Sequence, residues 1–152
     1  MKSVLISIKP KYCELIVSGQ KTVEVRKTKP RIDTPFKCYI YKTTTGKVIA
    51  EFDCDGIYPI RYTMDGFADV VDCKLSRLRP KDFIEYGKGT PLYGWRITNL
   101  KVYDEPKELV EFRRYLSFLD GESIAELEES GISNIRLKRP PRSWCYVEGL
   151  RS

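Results

Sequence analysis

The chain opens on a period of two. Val4, Ile6 and Ile8 alternate with Leu5, Ser7 and Lys9, which predicts a strand over Ser3–Lys9. The period then lengthens. Tyr12, Leu15 and Ile16 stand at i, i+3 and i+4 and make one apolar face of a short helix over residues 10–18. Pro10 suits its first position, where a missing N–H costs nothing. Gly19 can take the left-handed conformation that ends it. Period two returns at once: Val23 and Val25 point one way, Thr22, Glu24 and Arg26 the other. Two opposite charges thus share one strand face, with Cα atoms about 7 Å apart. Lys21 falls at the junction.

Lys27 to Pro35 holds two prolines and reads as a basic loop. Phe36, Cys38 and Ile40 alternate with Lys37, Tyr39 and Tyr41. After the turn TTTGK, Val48, Ala50, Phe52 and Cys54 return, so the pair predicts a hairpin. Gly56–Tyr62 continues it or pairs again, and Met64–Arg77 has no period that decides it. Pro80–Tyr86 reads as a short helix stopped by Gly87. Gly94–Tyr103 reads as a strand. Glu105–Leu116 reads as a helix, with Leu109, Phe112 and Leu116 on one stripe. Gly121–Ser130 reads as one or two helical turns, Ile132–Pro141 as a basic segment, and Trp144–Val147 as a final strand. Strands, one early helix and short helical insertions predict a mixed α+β domain on a curled sheet.

The 152 residues suit one domain over 1–152, with no repeat or linker. No apolar run is long enough to span a bilayer, and the N-terminus alternates too soon for a signal peptide. A cytoplasmic protein with no membrane partner is expected; oligomeric state is not legible. Lys plus Arg number 27 against 21 acidic residues, a net charge of +6. That balance permits contact with phosphate backbones. Lys27, Lys29 and Arg31, with Arg136, Lys138, Arg139 and Arg142, are either a phosphate-tracking face or solvated loops.

Absent residue types exclude more. With no histidine, Ser-His-Asp and Cys-His catalysis and His-ligated metal sites are excluded. The five cysteines, at 13, 38, 54, 73 and 145, are odd in number and lack C-x-x-C spacing. They read as small core residues, not as a disulfide framework or a zinc site. GxxxxGK[ST] is missing, so P-loop hydrolysis is excluded. No metal or cofactor is expected, and acid–base chemistry falls to Lys, Glu, Asp, Tyr or Cys. Trp95 reads as core. Trp144, after PPRS, is core or one wall of a base-stacking pocket, and Tyr12, Tyr39 and Tyr41 offer the same alternatives. Ser143 is a phosphate donor or a local backbone cap. Ser7 and Lys9 leave the first strand's apolar face just before the helix and could border one groove with it.

Lys21, Glu24 and Arg26 have two readings. As a surface ion pair they contribute little stability; as a functional pocket they are placed for ligand, and Lys21→Ala would then leave the melting temperature nearly unchanged. As a site, Lys21 and Arg26 are partners for an anion or a carbonyl, and Glu24 accepts from a base amino group or acts as general base. Arg26 can instead hold Glu24 ionised.

Gly19, Lys21, Glu24 and Arg26 spell G-x-K-x-x-E-x-R after a strand, a helix and a glycine. In this the chain resembles the ASCH domain family, and the segments YGWRITNLKVYD and PPRSW are similar too. The resemblance implies a small PUA-like mixed β-barrel of five or six strands, with the N-terminal helix packed beside it. It also implies an RNA-binding module that takes a single-stranded or modified nucleotide in a groove between helix and barrel. The ligand-binding residues would be Lys9, Gly19, Lys21, Glu24, Arg26, Ser143 and Trp144. The alternative it implies is a metal-independent hydrolase with Lys21 and Glu24 catalytic, acting on RNA or an acylated nucleoside. Relatives that hydrolyse an acylated cytidine carry a Thr nucleophile three residues after the signature Lys. Here Glu24 stands at that position, and Thr22 is out of register by two.

Overall fold

The computed structural model describes residues 1–116 and 135–150. In chain order its elements are β1 (Lys2–Ile8), α1 (Pro10–Val17), β2 (Val23–Arg26), β3 (Phe36–Lys42), β4 (Lys47–Cys54) and β5 (Ile57–Ile60). They continue with α2 (Val70–Ser76), α3 (Pro80–Gly87), β6 (Leu92–Arg96), β7 (Thr98–Glu108), a 3-10 turn (Leu109–Glu111) and β8 (Trp144–Glu148). The chain folds as two compact units. One comprises Met1–Pro10, Phe36–Glu51 and Lys101–Ser152, the other Lys11–Pro35 and Phe52–Leu100.

The first unit is built on a five-stranded sheet in the order β7-β4-β3-β1-β8. β1 runs parallel to β3, with Val4 opposite Cys38, and antiparallel to β8, with Ile6 opposite Trp144. Strands inside a sheet bury both faces when both are covered. Hence Val4, Leu5 and Ile6 are all fully buried, and Tyr39 and Tyr41, on the side of β3 that alternation left open, are buried as well. Leu5, Tyr39, Val48, Phe112 and Val147 share one core cluster. Tyr39 meets Phe112 edge-on at 4.9 Å between ring centroids. Tyr39 and Tyr41 are therefore core residues.

The helix expected over Glu105–Leu116 is not formed. β7 runs through Glu108, and one 3-10 turn follows. β7 is the outermost strand in the sheet order, where Pro106 is tolerated despite its missing N–H. Residues three apart eclipse in a 3-10 turn, so Leu109 and Phe112 still reach the core together. The expectation for Gly121–Ser130 lies outside the described residues. Within the basic segment, Ile135 and Leu137 are buried, while Lys138, Arg139 and Arg142 are exposed.

The second unit carries the antiparallel sheet β2-β6-β5. Glu24 pairs with Trp95, and Val25 with Gly94, which also faces Tyr58. One sheet face packs Val25, Ile60 and Leu92 against Phe83 of α3. A Cβ on Gly94 would lie 2.7 Å from Tyr58 Cζ, so only glycine lets that ring lie flat on the strand. The stretch Met64–Arg77, undecided by period, contains α2, whose first turn is capped by Asp69 accepting from the Val71 N–H at 2.8 Å. α3 forms where expected, but its left-handed cap is Lys88 (φ 50°), not Gly87. The late strand breaks into β6 and β7 at Ile97, whose N–H turns to the Thr22 carbonyl at 2.9 Å. The fold is mixed α+β, and each sheet taken by itself is open among the described residues.

Candidate functional site

The signature residues gather in the second unit. Gly19 takes φ 82° after α1. The Lys21 N–H then bonds to the Leu15 carbonyl at 3.0 Å, and the Thr22 N–H to the Leu75 carbonyl at 2.9 Å. These bonds fix the chain ahead of β2 and turn the Lys21 side chain inward, leaving it 1% exposed. Its Nζ donates to the carbonyl oxygen of Ser76, the last residue of α2, at 2.7 Å. A helix C-terminus carries partial negative charge and suits a cation. The Tyr12 ring centroid lies 5.2 Å from the same Nζ, and Glu24 Oε1 lies at 3.6 Å.

Glu24 is held from three directions. Its Oε1 accepts from the Val25 N–H at 2.9 Å, and Arg26 Nη2 donates to Oε2 at 3.4 Å. The expectation of a surface ion pair is therefore corrected. The carboxylate is 7% exposed and the guanidinium 12% exposed. Alternation placed Glu24 away from the Val25 core correctly, but that second face is covered as well. Charges taken out of water are costly unless each finds partners, and here each does. Burial pulls the Lys21 ammonium down from its ordinary range. Burial alone would raise Glu24, but Lys21, Arg26 and the Val25 N–H outweigh it and hold the carboxyl below its ordinary range.

Lys21 is thus engaged inside the fold, and Arg26 is the member of the trio nearest solvent. Beyond it, cations and rings alternate. Lys27 Nζ lies 4.9 Å from the Tyr86 ring and Lys29 Nζ 5.4 Å from the Tyr93 ring. Tyr93 is also the cross-strand partner of Arg26. Tyr86 and Tyr93 were not singled out from sequence. They stand about sixty residues from the lysines they meet, and only sheet register and the placement of α3 join them.

Lys9, Ser143 and Trp144 belong to the first unit. Lys9 follows β1 and is exposed. The Ser143 carbonyl accepts from the Ser7 N–H at 2.9 Å, and Ser7 Oγ donates to the Pro141 carbonyl at 2.7 Å. The half-buried Trp144 ring meets Tyr146 edge-on at 5.2 Å. Trp95 is fully buried. All five cysteines are free thiols, and burial pushes Cys54 and Cys145 up to about 11. Among the described residues no group of three His, Cys, Asp or Glu is placed to hold a metal ion, and no helix is long and apolar enough to cross a membrane.

A mixed α+β fold with a Lys–Glu–Arg cluster between its first helix and second strand defines the class. The chain belongs to the ASCH domain family, whose model matches residues 6–119. Among solved structures it is similar to the ASCH protein of Zymomonas mobilis, at 19% identity and a TM-score of 0.64 over 96% of this chain and 87% of that one. A tyrosine-to-phenylalanine variant of that protein aligns at 19% identity and a TM-score of 0.62, over 97% and 91% of the two chains. A serine-to-alanine variant aligns at 20% and 0.63, over 96% and 88%. No match was found among curated proteins.

Proposed function

We propose that the chain is an RNA-binding module that accepts a single-stranded or modified nucleotide on the second unit, where Glu24, Arg26, Lys27 and Lys29 lie. The observation that carries this is the pairing of Lys27 with Tyr86 and of Lys29 with Tyr93, next to Arg26. Single strands are held by cations that track phosphates and by rings on which bases stack. Each lysine here already sits beside a ring face. Arg26, the member of the trio nearest solvent, can donate to a phosphate or carbonyl oxygen, and Glu24, kept ionised, holds it in place. In this reading Lys21 positions Glu24 and does not touch RNA. Lys9, Ser143 and Trp144 would be a separate contact set on the first unit, with Trp144 as a stacking surface. We read the chain as one cytoplasmic ASCH domain and take the PUA-like barrel as its architecture.

The test is fluorescence anisotropy with a labelled single-stranded oligoribonucleotide across a salt series. Affinity should fall steeply with salt, and Lys27→Ala with Lys29→Ala should reduce the log–log slope by about 1–2. Affinity flat with salt, or a double variant that binds like the parent, would overturn the reading.

A second reading, metal-independent hydrolysis of RNA or an acylated nucleoside, draws on the depressed pKa of Lys21 beside Glu24. It stands second because Lys21 Nζ is committed to Ser76 and Glu24. Metal-free turnover that Glu24→Gln abolishes would put it first.

A further inference from the structure

On β2 and β6, Val23 faces Arg96 across the ladder, and both alternate away from the pair Glu24 and Trp95. Beside Val23 and Arg96 opens a cleft of about 610 Å³, within the range of small-molecule sites. Its apolar walls are Val23, Ile57, Leu75 and Ile97. Four polar side chains line it: Thr22, Tyr58, Arg96 and Thr98, whose hydroxyl donates to the Asp53 carbonyl at 2.7 Å.

Tyr58 and Arg96 each have a defined hydrogen-bonding sense. Tyr58 donates its hydroxyl proton to Asp72 Oδ1 at 3.1 Å, which leaves the phenol oxygen able to accept. Burial, then Asp72, pushes that phenol up to about 12, so it keeps its proton. Close packing on Gly94 fixes the ring. Arg96 Nε faces Asp55 at 3.3 Å, and its side chain is 58% exposed. Its terminal nitrogens are thus available as donors. The Thr22 hydroxyl can donate or accept. The charge nearby is not basic: one guanidinium stands against Asp55 and, behind Tyr58, Asp72. That balance disfavours a phosphate or carboxylate.

We infer that this cleft binds an uncharged planar ring carrying an amide or lactam edge. The ligand N–H would donate to the Tyr58 oxygen, its carbonyl would accept from Arg96, and its ring would lie between the apolar walls. This site is independent of the proposed RNA-binding surface.

Backbone amide NMR shifts during titration with nicotinamide and with uracil test this, with nicotinate as the anionic counterpart. Both neutral compounds should give saturable shifts at Gly56, Ile97 and Thr98. Nicotinate should bind about tenfold more weakly than nicotinamide, as expected for one unfavourable charge. Arg96→Gln should weaken both neutral compounds by about tenfold, and Thr22→Val by a smaller factor. Lys27→Ala with Lys29→Ala should change neither, which separates this site from the RNA surface. The parent-like spectrum of each variant, checked first, reports its folding. No saturable shift up to the solubility limit, nicotinate binding as tightly as nicotinamide, or unchanged affinity in both Arg96→Gln and Thr22→Val would overturn the inference.

Discussion

The Lys21 ammonium hydrogen-bonds the main-chain carbonyl of Ser76 at 2.7 Å, joining the segment that leads into β2 to the end of α2 across 55 positions of sequence. Lys21 is among the largest fully buried side chains of the protein. The signature lysine is therefore part of the second unit's interior.

Lys21→Ala should destabilise the protein by about 3 kcal/mol, because it strips a partner from a buried carboxylate and empties a packed site. Urea unfolding measures this. A loss below about 0.5 kcal/mol, the size of an ordinary surface change, would show that the lysine is solvated in solution.

Glu24 also sets a pH dependence. Its carboxyl is held below its ordinary value of 4.5 in the fold. As pH falls, the unfolded chain takes up the proton first, so stability is lost. The stabilisation is fully present above pH 4.5 and disappears as pH drops through the depressed folded value. Glu51, depressed by its bonds to Lys37 and Tyr103 against the opposing effect of burial, adds to the same limb. Glu24→Gln should flatten the fall in unfolding free energy between about pH 5 and pH 3 without abolishing it. An unchanged slope would place Glu24 in water.

Tyr86 separates stacking from simple charge. Tyr86→Ala should weaken single-stranded RNA binding by about 1–3 kcal/mol, whereas Tyr86→Phe should bind nearly as the parent does. Equal losses in both variants would assign the effect to the hydroxyl and not to the ring.

The exposed basic residues Lys138, Arg139 and Arg142 give a sequence-independent counterpart. Reversing their charge should weaken all RNA sequences alike if they meet only the backbone. Parallel titrations of two unrelated oligoribonucleotides check this. A loss confined to one of them would mean base contact.

Gly94→Ala should cost about 1–3 kcal/mol. The new methyl would sit 2.7 Å from Tyr58 Cζ, and that ring is tied to Asp72. A thermal melt unchanged from the parent would show that Tyr58 can move aside.

Much of the local structure was legible in the chain itself. Period two marked β1, β2, β3 and β4, and Tyr12, Leu15 and Ile16 with Pro10 and Gly19 marked α1, because these signals act within a few residues. The four signature positions were visible for the same reason, and they pointed to the family. Tertiary structure decided what those residues do. Whether Lys21 faces water depends on Ser76, and whether Lys27 and Lys29 meet rings depends on Tyr86 and Tyr93, which no local pattern connects to them. The stripe of Leu109 and Phe112 fits a helix or a 3-10 turn equally, and β7 at the sheet edge settled it, since an edge strand can hold Pro106. Alternation said that Glu24 points away from Val25. That both directions lead into the interior was decided by what packs on each face.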